Sequence, residues 1–287
     1  MGSDAIANSE QIDYWNSENA AKWVRDQAGL DRMFASVTDR LLALVQPRPG
    51  ETGIDVGCGT GATTMALAEN LGGHGHALGV DVSVPMLAMA RSRADKAGLS
   101  QVQFLEADAQ THAFEPAVLD LLISRFGVMF FEDPVAAFAN LGRAMKPGAR
   151  LCFLCWAPLA GNPWFAIPRA AAIAHMGKEP PAAPDPRAPG PMAFAEQDYV
   201  LEILRAAGWT SCAVADEEIY LSTDADLKEV ARLSSNLGPA VRVVRALDGT
   251  ATDLEAIAER LMADLAPFVT ADGVSIPARF NVVQARR

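Results

Sequence analysis

The chain has 287 residues, half of them apolar and 21% charged, enough to bury one large core, which excludes a disordered protein. Its 24 Lys and Arg stand against 35 Asp and Glu, a net charge of −11, the wrong sign for gripping a phosphate backbone, so no nucleic-acid partner is expected. Cys58, Cys152, Cys155 and Cys212 are too few for a disulfide framework, and the opening MGSDAIANSEQIDYW lacks a basic, apolar leader; a cytoplasmic protein is expected.

In chain order, residues 1 to 46 read as two helices, Ile12 to Asp26 and Arg32 to Val45. From residue 50 to about 157, short apolar runs alternate with helical patterns, as in βαβ units around a parallel sheet. The predicted strands are Gly53 to Val56, His76 to Val80, Gln101 to Leu105, Leu119 to Ser124 and Arg150 to Trp156. Between them, Ala62 to Leu71, Pro85 to Ala97 and Pro134 to Met145 carry apolar residues at three-to-four spacing and are predicted crossover helices. Asp133-Pro134 is an N-cap followed by proline at the first helical position, and Lys146-Pro147-Gly148 is a stop and turn.

Leu151 to Pro168 runs without a charge, about the minimum for a membrane span. Pro158, Pro163 and Pro168 would free backbone carbonyls in hydrocarbon, so a buried strand followed by an irregular loop is predicted instead. The proline-crowded segment 178 to 191 reads as an exposed connector. After it come a helix from Glu196 to Ala207, a strand from Cys212 to Leu221, helical stretches Asp226 to Leu237 and Asp253 to Leu265, and a last strand, Ala278 to Gln284. No internal repeat is visible.

The chemistry-bearing signal is Ile54-Asp55-Val56-Gly57-Cys58-Gly59-Thr60-Gly61, a glycine turn leaving the first strand and opening a helix. Glycines there let the backbone approach a ligand, and the helix N-terminus offers free N–H groups. Asp81 ends the next strand; a carboxylate at that point either accepts hydrogen bonds from both ribose hydroxyls or caps the following helix.

Together these features resemble class I S-adenosylmethionine-dependent methyltransferases. The spacing Gly57-x-Gly59-x-Gly61 after Asp55 looks like their first motif, and Gly79-Val80-Asp81-Val82-Ser83 with Met86-Leu87 like the second. Glu106-Ala107-Asp108-Ala109 is similar to the third, and Asp120 to Phe126 to the fourth. Lys146 to Leu151 resembles the turn before their fifth strand. The likeness runs from 50 to 157 and is greatest to the type 11 group, which includes the ubiquinone and menaquinone C-methyltransferases. It implies an α/β, Rossmann-like, seven-stranded, mostly parallel sheet with the last strand antiparallel and helices on both faces. The chain then divides into a helical cap (1–49), a cofactor-binding core (50–157), an insertion or lid with the proline-rich connector (158–195) and the remaining sheet and helices (196–287).

The resemblance also implies roles. Gly57, Gly59 and Gly61 would cradle the methionine and ribose of S-adenosylmethionine, with Asp55 supporting that loop or reaching the ammonium through water. Asp81 would bind the ribose hydroxyls, and Val82 and Met86 would line the adenine. Asp108 would accept from the adenine amino group and the Ala109 N–H would donate to the ring. Ser124 would sit beneath the methyl-transfer position.

Other clusters have plainer readings. Cys152 and Cys155 on one strand point to opposite faces, about 10 Å apart, so no metal or thiol chemistry is expected. His74 and His76 flank a turn at the far end of the sheet, Cys58 is a small packing side chain, and His175 has no evident partner. His112 is the one histidine near a ligand-side loop and a candidate base; no catalytic residue is assigned, His112, Arg125 and Tyr14 being the candidates. Arg125, followed by Phe126, either orients an anionic substrate or the cofactor carboxylate, or pairs with Glu132 or Asp133. Tyr14, Trp15, Trp23, Trp156 and Trp164 suggest an aromatic lid that excludes water.

The expected activity is in-line transfer of a methyl group to an N, O or C atom of a small, partly apolar molecule; an amine or activated carbon is favoured because no base stands out. A nicotinamide-dependent dehydrogenase is the first alternative, disfavoured by the glycine spacing; a non-catalytic cofactor-binding regulatory module is the second. Either a monomer or a homo-oligomer is compatible with the sequence.

Overall fold

The computed structural model describes residues 7–181 and 185–287. The first six residues of the expected cap and residues 182–184 of the expected connector lie outside the described residues. The elements run α1 (Ser9–Trp15), α2 (Glu18–Arg25), α3 (Gln27–Met33), α4 (Ala35–Val45), β1 (Thr52–Val56), α5 (Ala62–Leu71), β2 (His76–Asp81), α6 (Val84–Ala97), β3 (Val102–Glu106) and β4 (Leu119–Arg125). They continue α7 (Pro134–Ala144), β5 (Met145–Trp156), α8 (Pro163–Met176), α9 (Gln197–Ala206), β6 (Thr210–Thr223), α10 (Leu227–Asn236), α11 (Pro239–Ala246), α12 (Ala251–Leu265), β7 (Val269–Thr270) and β8 (Gly273–Arg286).

The strands form one sheet in the order β3-β2-β1-β4-β5-β8-β6, with two-residue β7 added to β8. β1 to β5 pair in parallel, and β8 runs antiparallel between β5 and β6. The expected sheet with its antiparallel last strand is therefore observed, extended by β7. Strand order reverses at β1, whose neighbours are β2 and β4; the chain goes on from β1 to α5 on one face and from β4 to α7 on the other, and a crevice opens at the strands' carboxyl ends.

Helix positions follow from apolar spacing. Val37, Leu41, Leu42 and Val45 are buried at helical intervals, so α4 packs across β4, β5 and β6 and against α5. On the opposite face, Phe138 of α7 stacks on Phe153 of β5 at 5.5 Å, and α9 packs on α7 and β6. Cys152 lies near Arg40 of α4, whereas Cys155 lies beside the Phe194 carbonyl, so the two thiols do face apart. Among the described residues no group of three or more metal-ligating side chains occurs, and no helix is long and apolar enough to cross a membrane.

Several boundaries differ from the sequence reading. The N-terminal segment holds four short helices rather than two, jointed at Asn16-Ser17, Asp26 and Phe34; Ser17 caps α2 through its side chain, a signal inside an otherwise periodic run. Lys146-Pro147-Gly148 is no stop between elements but a bulge within β5, where the register against β4 jumps from Leu119↔Met145 to Leu121↔Arg150. Pro163 opens α8, and Pro168 is accommodated inside it, so the expected irregular loop is mostly helix. α11 was not foreseen.

α8 packs with α10, α11 and α12, so one helical layer is assembled from two separated segments, with α9 between them in sequence but on the sheet. The expected boundary at 195/196 cuts through that layer. His175 of α8 has a partner after all: its Nε2 lies 2.8 Å from Asp253 Oδ1. The other Asp253 oxygen accepts from the Thr250 N–H in the capping box of α12, and these bonds hold the Asp253 carboxyl down at about 2.

Candidate active site

A cavity opens at the carboxyl ends of β1, β2, β3 and β4. One wall is the glycine turn. Gly57, Gly59 and Gly61 all have positive φ, of 71°, 54° and 85°, but their surroundings differ. A Cβ on Gly57 would sit 2.5 Å from the Cα of Gly127, so this glycine lets the β1 and β4 exits touch. Gly59 is open except for Met86 Sδ at 3.8 Å and faces the cavity. Gly61 is off the cavity wall; a Cβ there would strike Ala90 and Phe104 at 2.9 Å. Its cradle role is thus corrected to helix packing.

The acids at the strand ends are placed by backbone donors. Asp81 Oδ2 accepts from the Gly59 N–H at 2.8 Å and Oδ1 from the Ser83 N–H at 2.8 Å. Burial pushes the Asp81 carboxyl up, against the pull of these donors. Each oxygen keeps a second lone pair on a side chain that borders the cavity beside Val82 and Met86. Asp108 Oδ1 accepts from Asn8 Nδ2 and from the Gln110 N–H, both at 2.9 Å. Ala109 and Ala107 share this wall, and Asn140 Nδ2 secures the Ala109 carbonyl at 2.9 Å.

Two expected contacts lie behind the wall. Asp55 is fully buried and off the cavity; its Oδ2 accepts from Thr63 Oγ1 at 2.5 Å and Thr64 Oγ1 at 2.7 Å, bracing the turn against α5. Its Oδ1 has no partner among the described residues. Ser124 is also fully buried and off the cavity. Its hydroxyl donates to the Val56 carbonyl at 2.7 Å and accepts from the N–H groups of Gly127 and Val128, so it knots β4 to the glycine turn rather than underlying a transfer position.

Burial pushes the Asp55 carboxyl up to about 6, the two threonine hydroxyls opposing it. The folded chain therefore holds a proton at Asp55 that the unfolded chain gives up near its ordinary value of 3.8. Stability falls as pH rises from about 4 to 6 and the loss is complete above that, amounting to about 3 kcal/mol for a shift of this size. Asp55→Asn keeps an oxygen for both threonines and removes the titration. In urea melts its stability relative to the native chain should rise across pH 4 to 6 and stay level above; a pH-independent difference would refute this.

His112 lies off the cavity wall, its ring set edge-on against Phe114 at 4.7 Å and its backbone N–H donated to the Asp108 carbonyl. It is not placed to act as a base, because the turn after Asp108 carries it outward. His112→Ala is expected to leave stability within about 0.5 kcal/mol of the native chain, measured in urea melts, as for a side chain off the cavity.

The opposite wall is aromatic. Phe34, Phe126, Trp156, Trp164 and Phe165 border the cavity; Phe126 stacks on Trp156 at 4.7 Å, and Phe34 meets Phe126, Trp156 and Trp164 edge-on. Phe126 has φ 71°, an uncommon conformation for an aromatic residue, which turns its ring into this cluster. Arg125 is set in the same wall and pairs with neither Glu132 nor Asp133: Glu132 accepts from the Asn8 N–H and Asp133 caps α7.

The N-terminal helices cross the mouth. Tyr14, Trp15 and Trp23 line it, with Phe130 against Trp15 at 5.1 Å. Two asparagines clasp α1 in place. Asn8 exchanges bonds with Glu132, accepting from its N–H while donating its own; Asn16 Nδ2 donates to the Val82 carbonyl and its Oδ1 accepts from the Val84 N–H.

Sequence reasoning missed Asn8, Gln27, Asp31, Phe34 and Arg242, all on the cavity wall. Asp31 is joined to the glycine turn through Arg93, which donates to Asp31 Oδ2 at 2.5 Å and to the Thr60 carbonyl at 2.6 Å. No local spacing reports that pair; Phe34 alone had a signal, as one more aromatic residue of the N-terminal helices.

Comparison with known proteins gives the same picture. Residues 54–148 match the family model described as a methyltransferase domain. Nocamycin O-methyltransferase of Saccharothrix syringae is 30% identical over 204 residues, which cover 69% of this chain and 72% of that protein. A ubiquinone/menaquinone biosynthesis C-methyltransferase of Brucella anthropi is 35% identical over 131 residues, 45% of this chain and 48% of that protein, so the match spans about half its length. In fold, the chain resembles a Haemonchus contortus phosphoethanolamine N-methyltransferase solved with phosphomonomethylethanolamine and S-adenosylhomocysteine. The TM-score is 0.53 at 18% identity, covering 87% of this chain and 52% of that one.

Proposed function

Because the chain belongs to the S-adenosylmethionine-dependent methyltransferases, we propose that its cavity binds S-adenosylmethionine against the glycine turn and a small, flat, apolar acceptor against the aromatic wall. The observation that carries this reading is the pairing of the two walls in one cavity, hydrogen-bonding on the β1–β3 side and aromatic on the other. The residues present suit a nucleoside: two carboxylates whose inner lone pairs are already bound to backbone N–H groups, and a turn with bare glycine at Gly59.

In this reading Asp81 accepts from the ribose hydroxyls, Val82, Met86 and Ala109 flank the base, and Asp108 accepts from its amino group. Asp55, Gly61 and Ser124 hold the turn without touching the ligand. When bound, S-adenosylmethionine supplies a methyl group on a sulfonium, a good leaving group. The protein's share is then to orient the acceptor in line and keep water out, the work of Phe126, Trp156, Trp164 and the clasped helices. The relatives named for O- and C-methylation support a small-molecule acceptor; which atom is methylated stays with the acceptor's own chemistry. The absence of a nucleic-acid partner fits the net charge of −11. Calorimetry with S-adenosylhomocysteine tests the reading: one site per chain is expected, and no heat would end it.

A further inference from the structure

Arg125 differs from the other arginine on the cavity wall, Arg242, which is exposed at the rim, and from Arg93, off the wall, which has Asp31. Arg125 lies among aromatic rings, its guanidinium 5.6 Å from the centroid of Phe34. Only Nη1 is engaged, donating to Thr38 Oγ1 at 2.7 Å and, more weakly, to the Phe34 carbonyl at 3.4 Å. The donors on Nε and Nη2 have no protein partner among the described residues, and Arg125 makes no ion pair there either. Of the carboxylates bordering the cavity, Asp31, Asp81 and Asp108, Asp31 is the one whose charge reaches Arg125, and its Oδ2 already takes Arg93 and Gln27.

A guanidinium held in an apolar wall is costly unless an anion meets it, and its planar fork matches two oxygens side by side. The Thr38 bond anchors one edge of the fork on α4 and leaves the other edge to the cavity. We propose that Arg125 selects the methyl acceptor: the acceptor is a flat apolar molecule carrying an anionic oxygen group, a carboxylate or an ionised enol or phenol, which pairs with the free edge of Arg125 while its rings lie against the aromatic wall. This rests on the methyltransferase reading above and narrows its substrate class. An acceptor that arrives with an anionic oxygen also suits a cavity in which His112 takes no part.

The probes are 2-naphthoate and 2-naphthamide, alike in shape and different in charge, titrated by ligand-observed NMR into protein saturated with S-adenosylhomocysteine. The native chain should bind naphthoate at least tenfold more tightly than naphthamide. Arg125→Met should bring naphthoate down to the naphthamide level, Arg125→Lys should keep part of the preference, and both variants should hold S-adenosylhomocysteine within about threefold of the native affinity. No charge preference in the native chain, or no naphthoate binding, overturns the proposal. So does a loss of S-adenosylhomocysteine affinity in Arg125→Met as large as the loss for naphthoate, which would assign the guanidinium to the cofactor. A native chain that binds neither nucleoside nor probe instead fails at the underlying reading, a distinct result.

Discussion

Asp81→Ala should weaken S-adenosylhomocysteine binding at least a hundredfold, the largest loss expected from any single side chain on the β2 wall. The carboxylate is bound from behind by the N–H groups of Gly59 and Ser83, so its position is fixed before a ligand arrives and none of the binding energy is spent on ordering it. Hydrogen bonds to a charged group contribute about 1.5–3 kcal/mol each, and two vicinal hydroxyls would take two of them. Alanine also strands two N–H groups, one of them in the turn that forms the floor. Asp81→Asn separates these effects: it retains one acceptor oxygen, and should lose roughly tenfold while melting near the native temperature. Calorimetry on both variants decides the matter, and an Asp81→Ala protein that binds with native affinity would remove the basis of the proposed nucleoside site.

Gly57→Ala is the second large effect, and it acts on stability and on binding together. Its new Cβ would stand 2.5 Å from the Cα of Gly127. Both atoms belong to backbone, so relief requires moving the β1 and β4 exits apart and breaking the Ser124 knot with them. The left-handed conformation adds about 1–2 kcal/mol for a residue with a Cβ, and overpacking typically adds 1–3 kcal/mol. The expected cost is therefore roughly 2–5 kcal/mol in urea melts, with nucleoside binding lost. Gly98→Ala is the control: φ is 68° and nothing lies within 4 Å, so it should show the conformational cost alone. Equal costs at the two positions would contradict the close contact.

The core was legible because its signals are local. A glycine turn between an apolar run and a three-to-four pattern marks β1, the turn and α5 wherever the rest of the chain goes; Asp81 is placed by the end of its strand, and Asp108 by the likeness of Glu106-Ala107-Asp108-Ala109 to a known motif. What stayed hidden depends on docking. The neighbours of Arg125, Thr38 and Phe34, are 87 and 91 residues away in sequence, and Asp31 reaches the site only because α3 is tied to Arg93. Gly61 and Ser124 show the opposite failure: the motif was visible, but whether a residue faces a ligand or the packing behind it is a matter of which side of the strand end it occupies. Pro277 is instructive too. It stands inside β8, where the sequence reading begins the strand one residue later; β5 joins β8 only from Phe280 onward, so the proline's missing N–H falls where β8 lacks a neighbour on that side.

The clasps on α1 set the terms of traffic. That helix has seven residues, none of them buried, and its hold on the mouth is the edge-on packing of Trp15 against Trp23 and Phe130 and a few hydrogen bonds made by Asn8 and Asn16, each contributing about 1 kcal/mol net. Such a fastening can part without disturbing the sheet, and α1, about two turns long and partly exposed, is the element expected to move when ligand exchanges at the proposed site. Shortening either asparagine is expected to speed release of S-adenosylhomocysteine at the expense of retention, read as its dissociation rate.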